Sequence, residues 1–356
     1  MKTLRLTLKN ARTNQALTMQ KVAQMTGINQ ALISKFESGD RLPTEAQLFE
    51  LSNVYNIDFQ TLKALWLAEK IVRLVQYEPV AIDALSLAES RVAYLRSTKH
   101  FDVPDLTPEM TAQLATIDQL RRQWQSVKPL NPTQLRKMEE YFRIEYTFES
   151  NRIEGNTLTL HETGLVVQKG LTISGKTMVE HLEAINHAEA VEFVTQLATN
   201  QEDLTPRTLL ELHAIILKSI DKENAGRYRR VPVMISGSKH RPPEPWLLDK
   251  LMEDYFVHYE NQKGRMHPVI LASEMHERLV SIHPFIDGNG RTSRLVMNLI
   301  LLRNGYTIAN LKGDAASRLA YYRALEKVQT DNEPEVFYRL VMDAVEASLR
   351  AHLALV

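Results

Sequence analysis

The chain has 356 residues, of which 44% are hydrophobic and 24% charged, and its 43 basic and 43 acidic residues give a formal net charge of zero. These values indicate a globular protein of two or three domains and exclude a global electrostatic attraction to nucleic acid or membrane. Cysteine is absent, which excludes disulfides, thiolate zinc sites and a cysteine nucleophile and fits the reducing cytoplasm, where we expect the protein. We expect neither a membrane span nor a signal peptide, because no apolar run approaches the roughly 20 residues that a span needs and the first residues lack an apolar core.

Residues 1–66 predict an N-terminal domain of five short helices. Thr18 and Asn29 are typical helix N-caps, Thr44 begins a capping box, and Gly27 suits the turn between the second and third helices. Two short helices joined at a glycine are typical of a helix-turn-helix. The core between them is predicted to contain Leu17, Val22, Ile28, Leu32 and Ile33.

Residues 17–39 resemble the repressor-type (XRE/Cro) helix-turn-helix, which implies that the third helix reads DNA. Gln30 suits adenine edges, Lys35 suits guanine or phosphate, and Ser34 lies on the same outward face. Residues 1–45 carry seven lysines and arginines and three acidic residues, a net charge of +4. This charge is modest for a DNA-binding domain, so a helical bundle for dimerisation or protein contacts remains the alternative.

Two helices, at 60–76 and 80–95, are predicted next. We interpret residues 67–104 as a helical connector to a larger body at 105–356. Thr107, followed by a proline, is a typical start for the first helix of that body.

A long helix is predicted from about residue 132 to 155. Gly155 and Asn156 both suit a left-handed C-cap. Glu154 in the last turn opposes the helix dipole, which costs ~0.3–1 kcal/mol, so we infer that its role is not to stabilise the helix. The alternative is a solvated surface glutamate.

Residues 230–243 interrupt the helical pattern. β-Branched residues come first, and Ser236 and Gly237 are typical of a hairpin tip. Pro232 would restrict any strand here to the edge of a sheet. The alternative is an irregular connector.

Residues 283–294, HPFIDGNGRTSR, are the most informative segment. Gly288 and Gly290 allow backbone N–H groups to face an anion. The apolar run that follows predicts a helix, whose N-terminus favours phosphate. A polar surface loop is the alternative, but it does not account for all the parts occurring in this order.

The charged residues of the same segment suit a metal-bound polyphosphate. Asp287 offers the hard oxygen ligand that Mg²⁺ prefers. Arg291 and Arg294 share one helical face, so both can contact phosphate oxygens. His283 precedes the loop and is free to act as a general base.

This segment resembles the signature of the Fic family, H-x-F-x-(D/E)-G-N-G-R-x-x-R, at every fixed position. The resemblance extends over roughly residues 105–345 and implies an all-α fold with a small β-hairpin. Most members transfer AMP from ATP to a protein hydroxyl. ATP, Mg²⁺ and a target protein with an accessible hydroxyl are therefore the expected ligands and partner, beside DNA at residues 1–66, and a homodimer is left open.

The resemblance also implies roles for individual residues. His283 would take the hydroxyl proton and Asp287 would hold the metal. Asn289, with the backbone of 288–290, would stabilise the α-phosphate. Arg291 and Arg294 would contact the β- and γ-phosphates, and Tyr322 is a weak candidate for the adenine pocket.

Two further segments resemble Fic elements. Ser150, Glu154 and Gly155 match the inhibitory motif (S/T)-x-x-x-E-(G/N) of the class with an N-terminal inhibitory helix, which implies a Glu154–Arg294 ion pair in place of the γ-phosphate. Residues 230–243 follow a Gly-x-Tyr-Arg sequence and resemble the flap, which docks a target segment by β-augmentation. The flap residues would be Val233, Met234, Ile235, Ser236 and Gly237.

Three other functions stay open. Phosphotransferase relatives usually depart at the two glycines of the loop, which are intact here. An inhibitory glutamate can also align a water molecule to remove AMP, and a transcription regulator could use the Fic body only to sense nucleotide. Among the other polar residues, His181, His187 and His276 are expected to be structural, and Asn298 is either a loop contact or a nucleotide neighbour.

Overall fold

The computed structural model describes residues 3–98, 106–127 and 131–356, and it divides into two compact units, Met1–Glu89 and Ser90–Val356. Throughout the described residues the regular structure is helical, which confirms the all-α prediction. None of the described helices combines the length and the apolar character that a membrane crossing requires.

The first unit has its own hydrophobic core. Its predicted caps are present: Thr18 and Asn29 accept hydrogen bonds from the backbones of the helices they begin, Thr44 forms the capping box, and Gly27 adopts a left-handed φ of 70°. The predicted core residues are buried or partly buried. Its helices are α1 (Leu4–Asn14), α2 (Met19–Thr26), α3 (Gln30–Ser38), α4 (Glu45–Tyr55) and α5 (Phe59–Val75), and α6 (Ala81–Thr98) extends beyond its boundary.

The second unit is a larger helical body, and α7 begins at the predicted cap, Thr107. A single turn of 3-10 helix, Pro245–Leu247, precedes α12. The α-helices are α7 (Pro108–Ser126), α8 (Pro132–Ile153), α9 (Leu160–Lys169), α10 (Met178–Thr199), α11 (Pro206–Ile216), α12 (Leu248–Gln262), α13 (Pro268–Ile282), α14 (Asn289–Arg303), α15 (Ala315–Asp331) and α16 (Glu335–Leu353).

Helices α13 and α14 form the centre of this body. They pack against each other, and α10, α11, α12 and α16 surround them. Nearly every residue of both is buried, as expected for a helix enclosed on all sides. The loop that joins them, residues 283–288, is therefore held at both ends by deeply buried helices.

Helix α8 ends close to the predicted position. Gly155 adopts a left-handed φ of 100°, but Asn156 does not, so that part of the prediction is wrong. The Asn156 side chain instead accepts a hydrogen bond from Leu158 N and donates to Glu180 O and to the Glu183 carboxylate. Asn156 therefore holds the chain after α8 against α10.

The predicted β-hairpin at residues 230–243 is not formed: this fully described segment contains no strand. Only its tip is as expected, with Ser238 N donating to Ile235 O around Gly237, which has a φ of 78°. Pro232 cannot donate to a ladder, and an isolated two-stranded hairpin is marginal without further strands. The irregular connector is the correct description.

Candidate active site

The loop between α13 and α14 is shaped by two residues with left-handed backbones. His283 ends α13 with φ 51° and ψ 57°, and Gly288 caps α14 with φ 78°. A Cβ on Gly288 would lie 3.3 Å from Ile216 and 3.4 Å from His213. Glycine is therefore required there both for conformation and for space.

Asn289 organises the interior of this loop. Its buried side chain accepts a hydrogen bond from Phe285 N at 3.0 Å and donates one to Phe285 O at 2.9 Å. Both polar atoms of the amide thus bind the loop itself. The groups left to face an anion at the start of α14 are the backbone N–H groups.

His213 supports the loop from α11, and sequence reasoning missed it. Gly226 N donates to its Nδ1 at 2.9 Å, so Nε2 carries the proton and donates to the Asp287 carbonyl oxygen, also at 2.9 Å. The ring stacks on Phe285 with centroids 3.7 Å apart. Burial lowers the pKa of His213 to about 4, which keeps it neutral. Nothing in the sequence around His213 distinguishes it from an ordinary core histidine.

His283 is oriented as a proton acceptor. Its Nδ1 lies 3.2 Å from the Val280 carbonyl oxygen, and a carbonyl can only accept, so Nδ1 carries the proton and Nε2 keeps its lone pair. Burial lowers the pKa of His283 to about 4, although the Val280 carbonyl opposes this shift. The imidazole is therefore uncharged at neutral pH, the state that a general base requires.

Arg229 fixes the backbone beside His283. Its Nε donates to the His283 carbonyl oxygen at 2.8 Å, and its Nη1 and Nη2 donate to Val231 O at 3.1 Å and Pro243 O at 2.5 Å. Its backbone N–H also donates to Pro284 O at 2.9 Å. This buried arginine thus ties both limbs of the 230–243 segment to the loop.

Arg294 and Glu154 meet at the first turn of α14. Arg294 Nη2 donates to Glu154 Oε1 at 2.7 Å, and Ser150 accepts from Nε through Oγ and from Nη2 through its carbonyl oxygen, both at 2.9 Å. The arginine side chain is fully buried, whereas that of Glu154 is 31% exposed. A Cβ on Gly290 would lie 2.3 Å from Glu154 Oε1. The carboxylate therefore covers the helix start, where phosphate groups typically bind.

Arg291 connects two carboxylates. It donates to Glu183 Oε1 at 3.0 Å and to Asp287 Oδ2 at 3.1 Å. Glu183 was missed in the sequence, because α10 contains several similar glutamates. Asp287 also accepts from Gly288 N, and its side chain is 61% exposed.

Asp287 fits a magnesium ion held largely by substrate phosphates. Mg²⁺ is commonly bound through one or two carboxylates together with phosphate oxygens, and Asp287 is an accessible carboxylate next to the start of α14. Within the described ranges, no group of three or more acidic, histidine or cysteine side chains could hold a metal ion.

The remaining candidates lie as follows. Tyr322 is partly exposed, and its hydroxyl donates to Ile153 O at 2.9 Å, so it lies next to the end of α8. Asn298 contacts both backbone groups of Ala309, which favours the loop contact over the nucleotide neighbour. His276 packs against Phe337. His181, His187 and His276 are each buried, as expected for structural residues.

The candidate DNA-reading face lies on α3 of the first unit. Gln30, Ser34 and Lys35 are all exposed. Arg12 on α1 makes two contacts with the Glu37 carboxylate, at 2.6 and 2.9 Å, which fix α1 against the buried side of α3. The outward side of α3 is thus held rigidly and left open.

The fold and the site define an all-helical protein with a glycine-containing loop at the start of a buried helix and a separate helix-turn-helix domain. Residues 203–301 match the Fic/DOC family and residues 8–62 match a helix-turn-helix family. The chain therefore carries a Fic/DOC domain together with an XRE-type helix-turn-helix domain, as the sequence motifs predicted.

Curated relatives include the protein adenylyltransferase Fic of Drosophila grimshawi, 35% identical over 68% of this chain and 49% of that protein, and that of Drosophila mojavensis, 34% identical over 76% and 53%. The chain thus spans about half the length of these relatives. A solved Fic domain-containing signaling protein from Bacteroides thetaiotaomicron is 29% identical, covers 67% of this chain and 97% of its own, and superposes with a TM-score of 0.62. C. elegans Fic-1, at 24% identity, a TM-score of 0.62 and coverage of 99% and 97%, shows the shared fold.

Proposed function

We propose that the chain is a protein adenylyltransferase, which transfers AMP from ATP to a Ser, Thr or Tyr hydroxyl of a target protein. The observation that carries this proposal is the neutral His283 with a free Nε2, placed directly before the anion-binding start of α14. The names of the curated relatives support the same activity.

In the proposed reaction, the hydroxyl oxygen of the target attacks the α-phosphorus and its proton passes to His283 Nε2. The bond from the α-phosphorus to the bridging oxygen breaks, and pyrophosphate leaves. The backbone N–H groups at 288–290 would stabilise the charge on the α-phosphate. Asp287 would hold Mg²⁺, which supplies charge neutralisation for the leaving pyrophosphate. Positioning and charge stabilisation dominate this kind of chemistry.

The two arginines of α14 would bind the remaining phosphates. Arg291 would contact the β-phosphate and Arg294 the γ-phosphate. The two Ser150 contacts would keep the Arg294 guanidinium in place when Glu154 leaves, so the phosphate site would already be formed. Because Arg294 can pair with only one anion in this geometry, the protein would rest in a low-activity state with Glu154 bound.

The N-terminal domain is proposed to bind duplex DNA through Gln30, Ser34 and Lys35. We keep the division into residues 1–66, a connector at 67–104 and a Fic body at 105–356, although its second boundary lies outside the described residues. A cytoplasmic location stays part of the proposal, because a chain without cysteine needs no oxidising compartment.

The test is incubation of the wild-type protein and Glu154→Gly with labelled ATP and cell lysate, followed by mass spectrometry of the labelled proteins. We expect a mass increase of one AMP on a hydroxyl side chain, stronger with Glu154→Gly. If neither protein labels any target, itself included, adenylyl transfer is the wrong activity.

A further inference from the structure

Residues 227–246 form a strongly basic loop beside His283. They contain five arginines and lysines and a single acidic residue, Glu244, a net charge of +4 in a chain whose total is zero. We call this segment, together with its side chains, the basic loop. Such a local excess of one sign attracts ligands of the opposite charge.

Three of these cations have no partner among the described residues. Arg227, Arg230 and Arg241 are exposed, and their side chains form no ion pair or hydrogen bond with the described parts of the chain. The other two are engaged: Arg229 binds backbone carbonyls and Lys239 lies 3.7 Å from Glu326. The basic loop therefore presents three guanidinium groups that no described residue engages.

Large apolar side chains accompany the free arginines. Met234 is 94% exposed, Trp246 is 63% exposed and Val231 is 53% exposed. Tryptophan, methionine and arginine are enriched in protein–protein interfaces. Grouped exposed apolar side chains commonly mark interaction sites.

The basic loop borders the proposed general base. Arg229 joins Val231 O and Pro243 O, near the two ends of the loop, to the His283 carbonyl oxygen. His240, in the middle of the loop, has its Nε2 2.8 Å from Ser281 O. A chain segment bound across the loop would therefore lie next to His283.

We propose that the basic loop binds a target segment that carries acidic residues and an apolar side chain close to the hydroxyl to be modified. Carboxylates would pair with Arg227, Arg230 and Arg241, and the apolar side chain would pack on Trp246 and Met234. This inference rests on the proposed function, since it names the chemistry of the target. A protein target is favoured over nucleic acid because the exposed apolar side chains of Met234, Trp246 and Val231 accompany the arginines, and this combination is typical of protein–protein interfaces.

The first measurement is peptide binding, which does not depend on activity. Two fluorescein-labelled peptides, identical except that one carries Glu and Asp and the other Gln and Asn around a Leu and a Thr, are titrated with full-length protein. We expect the acidic peptide to bind at least about tenfold more tightly at low salt, with the difference falling as salt screens the charges. Arg230→Ser/Arg241→Ser should remove most of the difference.

The matched control is Arg265→Ser. It removes one positive charge, as Arg230→Ser and Arg241→Ser each do when made singly. Arg265 lies just before the start of α13, a helix about 22 Å long at 1.5 Å per residue whose other end adjoins His283. Arg265→Ser should leave the peptide preference unchanged. In the Glu154→Gly background, AMP transfer to the two peptides should show the same preference, mainly through KM. Arg230 and Arg241 are not part of the proposed catalytic machinery, so kcat should stay similar.

Equal binding of the two peptides by the wild-type protein, or an unchanged preference in Arg230→Ser/Arg241→Ser, would overturn the proposal. So would a double variant that keeps the peptide preference but loses affinity for a single-stranded oligonucleotide, because the loop would then contact nucleic acid. If binding shows the preference but Glu154→Gly transfers AMP to no protein or peptide, the proposed activity fails and the docking surface stands.

Discussion

At the scale of single residues, the proposed chemistry depends on the position of one proton on His283. The Val280 carbonyl oxygen holds the proton on Nδ1, and burial lowers the pKa to about 4. We expect His283→Ala to reduce AMP transfer by about 10²–10⁴-fold, the usual contribution of a general base, with ATP affinity largely kept. The measurement is transfer and ATP binding on the same variant in the Glu154→Gly background, with the exposed His161→Ala as control.

The pH dependence tests the same residue independently. A base works only when neutral, so activity is lost as pH falls through the folded-state pKa. Because that value is about 4 rather than the ordinary 6.5, kcat of Glu154→Gly should stay flat from pH 8 to about pH 5.5. An inflection near pH 6.5 that disappears in His283→Ala would show that the histidine is not desolvated as described.

Glu154 is expected to inhibit, because its carboxylate holds Arg294 and covers Gly290. Glu154→Gly should raise AMP transfer, including transfer onto the protein itself. Arg294→Ala should lose activity even in that background, since the proposed γ-phosphate contact is gone. Labelled-ATP incorporation by the wild type and the single and double variants gives the comparison. No gain in Glu154→Gly on any substrate would return Glu154 to a surface residue at a helix end.

Arg229 is expected to position His283 without touching substrate. Arg229→Lys keeps the charge but cannot reproduce the three carbonyl contacts in a fixed fork, so kcat should fall by about tenfold or more through misplacement of the base. The KM for ATP should change little. Because a loss of folded protein would also lower the apparent kcat without changing KM, the unfolding transition of Arg229→Lys is measured too and should match that of the wild type. Arg230→Lys, the exposed neighbouring position, is the control, and equal kcat values for the two variants would remove Arg229 from this role.

At the scale of elements, α3 and α14 are similar, because each is fixed by packing of its buried residues. Helix α3 then exposes polar side chains on its outward side, and α14 presents backbone N–H groups at its start. In α3 this leaves Gln30 and Lys35 exposed. Gln30→Ala and Lys35→Ala should each weaken specific DNA binding by ~1–3 kcal/mol, and wild-type affinity should fall with salt. Electrophoretic shifts with genomic fragments measure both, with Lys9→Ala on α1 as control; no binding at low salt would favour a protein-interaction domain.

At the scale of the whole molecule, buried histidines make folding sensitive to acid. The second unit contains five buried or partly buried histidines whose pKa values are lowered mainly by desolvation, so they take up protons on unfolding below about pH 6.5. Stability should therefore fall as pH drops from 6.5 toward 4. Buried Glu277, whose pKa is raised to about 8 by desolvation, opposes this trend with a single proton. The histidines are His187, His213, His267, His276 and His283.

The measurement is chemical unfolding at pH 7.5, 6.0 and 5.0. His276→Phe, which replaces a buried ring packed on Phe337, should flatten the pH dependence by up to about 1.4 kcal/mol per pH unit, the value for one proton. The exposed His161→Ala should not alter the slope. A wild-type stability that does not fall between pH 6.0 and 5.0 would contradict the desolvation of these rings.

Features that depend on neighbours in the chain were predictable. Helix caps at Thr18, Asn29, Thr44 and Thr107 depend on bonds spanning two or three residues, so composition and spacing suffice to locate them. The signature at 283–294 is also a contiguous stretch of sequence, so the resemblance to the Fic family could be read from it directly. The predicted β-hairpin was wrong because a strand depends on a pairing partner elsewhere, and local β-propensity does not show whether a partner is present.

The sequence by itself determined the all-helical class, the two kinds of domain and the signature residues of the loop at 283–294, because periodicity, caps and turn glycines act over a few residues. Only the tertiary structure shows which distant residues contact that loop. Arg229, His213 and Glu183 reach it from 54, 74 and 108 residues away, and the packing of α10, α11 and α13 around α14 decides which polar side chains arrive there. That packing also left Arg227, Arg230 and Arg241 of the basic loop without a partner among the described residues, since pairing depends on which carboxylates the fold brings near and not on their number in the chain.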